Sequence, residues 1–306
     1  MGAYDMVIGV LLIGLFFNTY LYGLVTYQFI IYHNTKFNDR LWIRSVVGSL
    51  FVLDTVHSAV AVYMAWEICV TNYNNPESLA FVSWTIPFTA VATAFAAFIT
   101  QIFLCHRVMI LTKSKPIVWF IGILSFLGFF FGIYAGIYSG IIREVAKFAP
   151  LEPFVTCWLT FQTSADLLIT FVLSFVLSRS RTGFRRTDTV INRIIRGAIQ
   201  TGLFASIFAL ADLFSFLLHR DTYLYAMFAY PLGRIYTNTL LDTLNARTSL
   251  KSLAGTEAET DTSFRLQNQT HTMASHQIHS IQVQKEVVTD INDPTSTVDK
   301  KYPVEV

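Results

Sequence analysis

The chain reads as an all-α integral membrane protein, a seven-transmembrane-helix bundle with its N-terminus outside and its C-terminus cytoplasmic. Three observations predict this class: seven long apolar segments joined by short connections, a deficit of charge, and a one-sided distribution of Lys and Arg. Of 306 residues, 53% are hydrophobic and only 14% charged, where a soluble domain carries about 25% charged residues. Mean hydropathy is +0.49. Residues 1–251 form the predicted membrane domain, and 252–306 a polar tail.

The first segment, Val7–Ile31, follows an N-terminus without a basic stretch and is too long for a signal-peptide core, so it is expected to stay as a membrane helix. Its strong polar residue is Asn18. The second, Val46–Ile68, carries Asp54 with His57 three residues on, and the third, Ser83–Cys105, carries Thr85, Thr89, Thr93 and Thr100. The fourth, Pro116–Ile142, has no charged side chain; at 1.5 Å per residue it is roughly 40 Å long, enough to cross a hydrocarbon core of about 30 Å. Its Gly128, Gly132, Gly136 and Gly140 recur every fourth residue, a stripe that admits another helix closely. Packing within the bundle is one reading of the stripe and a homodimer seam the other, with Phe126, Phe129 and Phe130 turned to lipid.

The fifth segment, Phe154–Leu177, places Thr156, Thr160, Thr163, Asp166, Thr170, Ser174 and Ser178 along one stripe. The sixth, Ile194–Leu218, aligns Gly197, Thr201, Ala205, Ala209 and Asp212. The seventh, Tyr223–Leu244, aligns Tyr230, Arg234, Asn238 and Asp242. A polar side chain facing lipid is costly, so these stripes mark the protein-facing sides.

Counting from the segment ends puts Asn18, Asp54, Asp166 and Arg234 about 15–18 Å deep, near the midplane, with Asp212 in the outer half. A lone Arg there costs about 2.5–3.5 kcal/mol on the most lenient scale. Arg234 is therefore expected to pair with an acid, Asp166 or Asp212 first and Asp54 second. Asn18, Asp54, His57, Asp166, Asp212, Arg234 and Asn238 make a predicted polar core. It serves either as helix–helix glue or as a ligand-binding or switching centre.

Basic residues set the threading. Lys36, Arg40, Arg44, Arg107, Lys113, Lys115, Arg179, Arg181, Arg185, Arg186, Arg193, Arg196, Arg247 and Lys251 fall on one side, and Arg143, Lys147 and Arg220 on the other. Fourteen against three makes the first side cytoplasmic. Trp42, Trp66, Trp84, Trp119 and Trp158 lie near segment ends, where indole rings favour the headgroup level. Cys69 and Cys157 both fall near the outer boundary, open to an external disulfide or to a plain packing role. Cys105 lies on the cytoplasmic side.

The basic loop between the fifth and sixth segments, residues 178–196, is suited to anionic lipid, and docking of a cytoplasmic protein there or on the tail is the second reading. The tail from Ser252 onward is rich in Ser, Thr, Gln, Asn and His and reads as disordered. Its sequon Asn268-Gln269-Thr270 would face the cytoplasm, and His271, His276 and His279 match no metal-site spacing.

The motifs Arg179–Asp188 (RSRTGFRRTD), Ile191–Arg196 (INRIIR), Thr201–Leu203 (TGL) and Ile235–Arg247 (IYTNTLLDTLNAR) are distinctive. Through them residues 165–247 resemble a fungal, mainly basidiomycete, family of integral membrane proteins defined by a C-terminal domain of unknown function. The resemblance implies a seven-helix membrane protein and brings no activity.

Several classes are argued against by what is missing. No Lys lies inside a predicted span, so no retinal Schiff base forms; only His57 is a membrane-embedded imidazole, too few for a zinc hydrolase. No serine-hydrolase elbow or phosphate-binding Gly-Lys loop occurs. The expectation is a non-enzymatic protein without cofactor, metal or nucleic-acid partner. It is a receptor-like sensor in the plasma membrane or an endomembrane, with a solute or ion transporter and a non-catalytic scaffold as alternatives.

Overall fold

The computed structural model describes residues 5–35, 37, 39–75, 78, 81–142, 144, 147–179, 185–219 and 222–247, with backbone alone at 5, 6, 185–191, 193, 194, 198 and 201. Its helices are α1 (Val10–Asn34), α2 (Leu41–Trp66), α3 (Thr85–Thr112), α4 (Lys115–Ile142), α5 (Glu152–Arg179), α6 (Arg185–Leu218) and α7 (224–247). Among the described residues no strand forms beyond an isolated bridge between Phe81 and Glu144.

Local chemistry explains the breaks. α3 stops where Lys113 takes a left-handed conformation (φ 52°) and returns its N–H to the Met109 carbonyl at 3.0 Å. α4 restarts two residues on with Pro116 in its first turn, where the missing N–H costs nothing. A short 3₁₀ turn, Ala149–Leu151, holding Pro150, leads into α5. α2 loosens at its end into a π turn, Glu67–Thr71.

Six helices are long and apolar enough to cross a membrane, over Val7–Asn34, Leu41–Thr71, Thr85–Thr112, Lys115–Ile142, Ala149–Arg179 and Ile195–Leu218. They make this a multi-pass membrane protein by length and composition. α7 is absent from that set because Arg234, Asn238, Asp242 and several threonines dilute its apolar content. Residues 230–237 of α7 are all buried, so protein rather than lipid solvates this helix.

The packing order is α1 on α2, α2 on α3, α3 on α4 and α5, α4 on α5, and α5 on α6. α7 lies among them. A Cβ placed on Gly14 of α1 would come within 2.8 Å of the Met227 Cα, so glycine is what lets α1 and α7 touch. α7 also bonds to α2 and α5, as described below. α4 is the opposite case: it is the most hydropathic span, yet only 22% of its apolar window is buried, against 61% for α3. Trp119, Phe126, Phe130 and Ile141 lie exposed on its outer side.

The structure revises several expectations. Within α4 the glycine stripe is filled by the chain itself. Cβ atoms on Gly128, Gly132, Gly136 and Gly140 would meet Gln162, Trp158 with Ala94, Val91 with Ala90, and Pro87 respectively. α3 and α5 therefore occupy the stripe, and it is no dimer seam. Phe129 is not turned to lipid but stacks on Phe98 at 4.6 Å. Thr160 and Ser178 of the α5 stripe are exposed, because at about 100° per residue both lie about 120° round the helix from buried Asp166. Trp158 is not at an interface; it is 7% exposed, six residues into α5. Trp66, Trp84 and Trp119 are exposed near helix ends, as an interfacial belt requires.

Cys69, Cys105 and Cys157 are all free thiols. Cys69, in the turn that ends the second span, and Cys157, in the second turn of α5, are not bridged in the structure. The basic loop is shorter than expected, because α6 is already helical from Arg185. Arg185, Arg186 and Arg193 thus sit on a helical extension preceding the apolar stretch that starts at Ile195, and Arg196 lies at the start of that stretch, with no Pro or Gly between Arg185 and Arg196 to interrupt the helix. Arg196 is exposed and Arg179 lies over the Phe175 ring at 5.6 Å. Arg181, the side chains of Arg185, Arg186 and Arg193, and the tail from 251 lie outside the described residues.

Candidate functional site

Every strong polar side chain of the predicted core except Asn238 is buried: Asn18, Asp54, His57, Asp166, Asp212 and Arg234 are all at most 6% exposed. They do not form one cluster. Asp54 and His57 gather on Arg234 and Asp166 on Tyr236, while Asn18 and Asp212 bond to neither; Arg234 and Tyr236 are two residues apart and so point about 200° from each other around the helix.

On one flank Arg234 faces α2. Its Nη1 donates to Asp54 Oδ1 at 2.6 Å and to His57 Nδ1 at 3.1 Å, and its Nη2 donates to Ser58 Oγ at 3.1 Å. The expected partners Asp166 and Asp212 are thus both wrong, and the second choice, Asp54, is right. Asp166 lies on the other flank of α7, and Asp212 is six residues from the end of α6, nearer the bundle end than Arg234. The guanidinium also fixes the imidazole. Because Nδ1 accepts from Arg234, the proton resides on Nε2. That N–H reaches Thr89 Oγ1 at 3.2 Å, and Thr89 donates onward to the Thr85 carbonyl at 2.8 Å. A single directed chain of hydrogen bonds therefore runs from α7 through α2 to α3.

Two buried atoms of this cluster, Asp54 Oδ2 and Arg234 Nε, have no partner among the described residues, and neither amide atom of Asn18 on α1 has one. Asn238 donates to the Leu21 carbonyl at 3.3 Å and to the Arg234 carbonyl at 2.9 Å, while its Oδ1 accepts nothing. α1 is joined to the core in this way.

On the opposite flank Tyr236 donates to Asp166 Oδ2 at 2.5 Å, and Gln101 Nε2 donates to Asp166 Oδ1 at 2.8 Å. Gln162 donates to the Tyr236 oxygen at 2.8 Å and accepts from Trp158 Nε1 at 2.7 Å. Both carboxylate oxygens are satisfied without a cation. Gln101, Gln162 and Tyr236 were missed by stripe reading. Gln162 adjoins Thr163, one position off the hydroxyl stripe, and Gln101 follows Thr100 on α3; a search for amides beside hydroxyl stripes would have found both.

Two cavities flank this core. One, of about 80 Å³, lies toward the end where the 219–223 connection sits, lined by Asp212, Trp158, Tyr225 and Tyr230 among others. Another, of about 40 Å³, opens from Asp166 and Tyr236 toward Arg107 at the other end.

At that other end a third polar group, also unforeseen, joins the α1–α2 connection to α7. Arg247 grips Asp39 with both Nη atoms, at 2.7 and 2.9 Å. Tyr32 donates to the same carboxylate at 2.9 Å, and the guanidinium lies 4.4 Å over the Phe37 ring. The hydrogen bonds from Arg247, then that from Tyr32, hold the Asp39 carboxyl below the usual aspartate range against the opposing effect of burial. A lone acid inside a basic connection, and an Arg closing the last motif, were the signals available.

Among known proteins, a family of unknown function, DUF6534, matches residues 162–249. The match takes in Gln162, Asp166, Asp212, Arg234, Tyr236, Asn238 and Arg247, and leaves Asp54 and His57 outside. No curated protein and no solved structure matches the chain.

Proposed function

We propose that this protein is a receptor-like membrane sensor of seven spans, N-terminus outside and C-terminus cytoplasmic, in which α7 is the element that responds. The observation that carries the reading is the double grip on α7. Arg234 and Tyr236 anchor it through opposite flanks to α2 and α5, between a cavity toward each end of the bundle. A ligand entering either cavity would change the relative stability of arrangements of α7, which is what a sensor requires. The basic connections and the Arg-rich start of α6 suit the cytoplasmic face and its anionic lipids. The plasma membrane is the proposed location.

The test is a thermal-shift screen of small molecules on the purified protein, followed by labelling of a single cysteine at Thr243, near the end of α7, in nanodiscs. A stabilising compound should change the labelling rate, and Asp54→Asn or Tyr236→Phe should change that response. If compounds stabilise the protein with no change in labelling at the α7 end, the sensing reading is wrong.

Transport is favoured by one feature: the carboxylates of Asp212 and Asp166 line cavities on opposite sides of the core. Substrate flux by proteoliposomes would decide for it.

A further inference from the structure

We propose that the cavity beside Asp212 is a binding site for a small organic ammonium ion. Asp212 is 5% exposed and lines the cavity, yet no hydrogen bond or ion pair reaches its carboxylate among the described residues. Arg234 pairs with Asp54 instead. A buried carboxyl without a partner carries charge only when a cation is beside it, and is otherwise held neutral. Two further cavity-lining groups are idle as well: the Tyr225 hydroxyl and Thr93 Oγ1 are buried without partners. These three groups line one cavity and offer it a carboxylate and two hydroxyl acceptors, which suits an N–H donor carrying positive charge.

The walls support a cation rather than a neutral donor. Trp158, Phe216, Tyr225 and Tyr230 all line the cavity, and Phe216 meets Tyr225 edge-on at 5.5 Å. Aromatic faces around a carboxylate attract an organic cation through the ring quadrupole, and most strongly where water is excluded. Size limits the ligand. The cavity measures about 80 Å³, well under the roughly 150 Å³ of an engineered cavity that takes benzene. A short alkylammonium of about four heavy atoms fits that space, whereas a ring with substituents does not.

This ligand class deepens the sensing reading, but binding is measurable without it. Full-length protein in nanodiscs is titrated calorimetrically with propylammonium chloride, and with propan-1-ol as the neutral isostere. Saturable binding of propylammonium is expected, at least tenfold tighter than propan-1-ol. Asp212→Asn should weaken it at least tenfold, and Ala226→Leu, which fills the cavity from α7, should abolish it. Should Asp212→Asn not fold, the isostere comparison and Ala226→Leu carry the decision. No saturable propylammonium binding, equal binding of the alcohol, or undiminished binding by Ala226→Leu or by a folded Asp212→Asn overturns the proposal. Propylammonium that binds without altering α7 labelling leaves the site standing and counts against sensing. Compounds that alter labelling while propylammonium fails to bind do the reverse.

Discussion

Arg234 is 1% exposed, and its ion pair with Asp54 is the closest charged contact in the core. Removing one member of such a pair leaves the other charge buried alone, which costs about 3–5 kcal/mol, whereas replacing both by apolar residues is often neutral. Arg234→Met is therefore expected to lower the unfolding temperature sharply, and Arg234→Met with Asp54→Leu to recover most of the loss. A double variant no better than the sum of its parts would show that the two residues do not act as a unit. Tyr236→Phe deprives Asp166 of a donor and Gln162 of its acceptor, so it should cost about 1–3 kcal/mol in chemical denaturation. The depth of Arg234 and of its candidate acids was readable from residue counts. Which acid it meets was not, because depth along a helix says nothing about which neighbour each flank faces; that order is decided by tertiary packing.

At the level of helices, small residues decide who sits beside whom. A Cβ on Gly132 would lie 2.7 Å from Trp158 Nε1 and 2.8 Å from Ala94 Cβ. Gly132→Leu should therefore push α4 off both α3 and α5, costing roughly 1–3 kcal/mol or more. Gly23→Ala, where nothing lies within 4 Å, should be neutral or slightly stabilising in the same thermal assay. The four-residue glycine repeat announced a close contact, but the repeat alone could not say whether the visitor was an internal helix or a second molecule. Similarly, hydropathy alone marks the arginines before the sixth apolar stretch as a loop, because the apolar run begins only after them. The backbone continues as a helix regardless of polarity, since Arg is a good helix former.

At the two extremes of the whole molecule, hydropathy follows exposure rather than the presence of a helix. α4, the most apolar span, is peripheral, and α7, too polar for the set of six, is enclosed. The sequence reads as seven apolar segments; six of them are long and apolar enough to span, and the seventh is a helix too polar for that set. Its status as a span belongs to the topology, which predicts an N-terminal epitope labelled on intact cells and a C-terminal one labelled only after permeabilisation. Both epitopes on one side would mean an even number of crossings. The Asp39–Arg247 contact has its own pH signature. The Asp39 carboxyl titrates lower when folded, so its stabilisation is complete above the free aspartate value of about 3.9 and is lost as pH falls through the depressed folded value. Arg247 is a third exposed, so the contribution is about 1 kcal/mol. The melting difference between the wild type and Asp39→Asn should hold steady from pH 7 to about 5 and shrink toward pH 3.

α7 is riveted to the same stretch of chain twice, at Arg234 to α2 and at Arg247 to the segment that introduces α2. Thirteen residues separate the rivets, about 20 Å along the axis. A rod pinned at two such points has lost its freedom to pivot against its neighbour, so α2 and α7 travel together as a single splint, and any rearrangement of the bundle must open along the seams that border this pair.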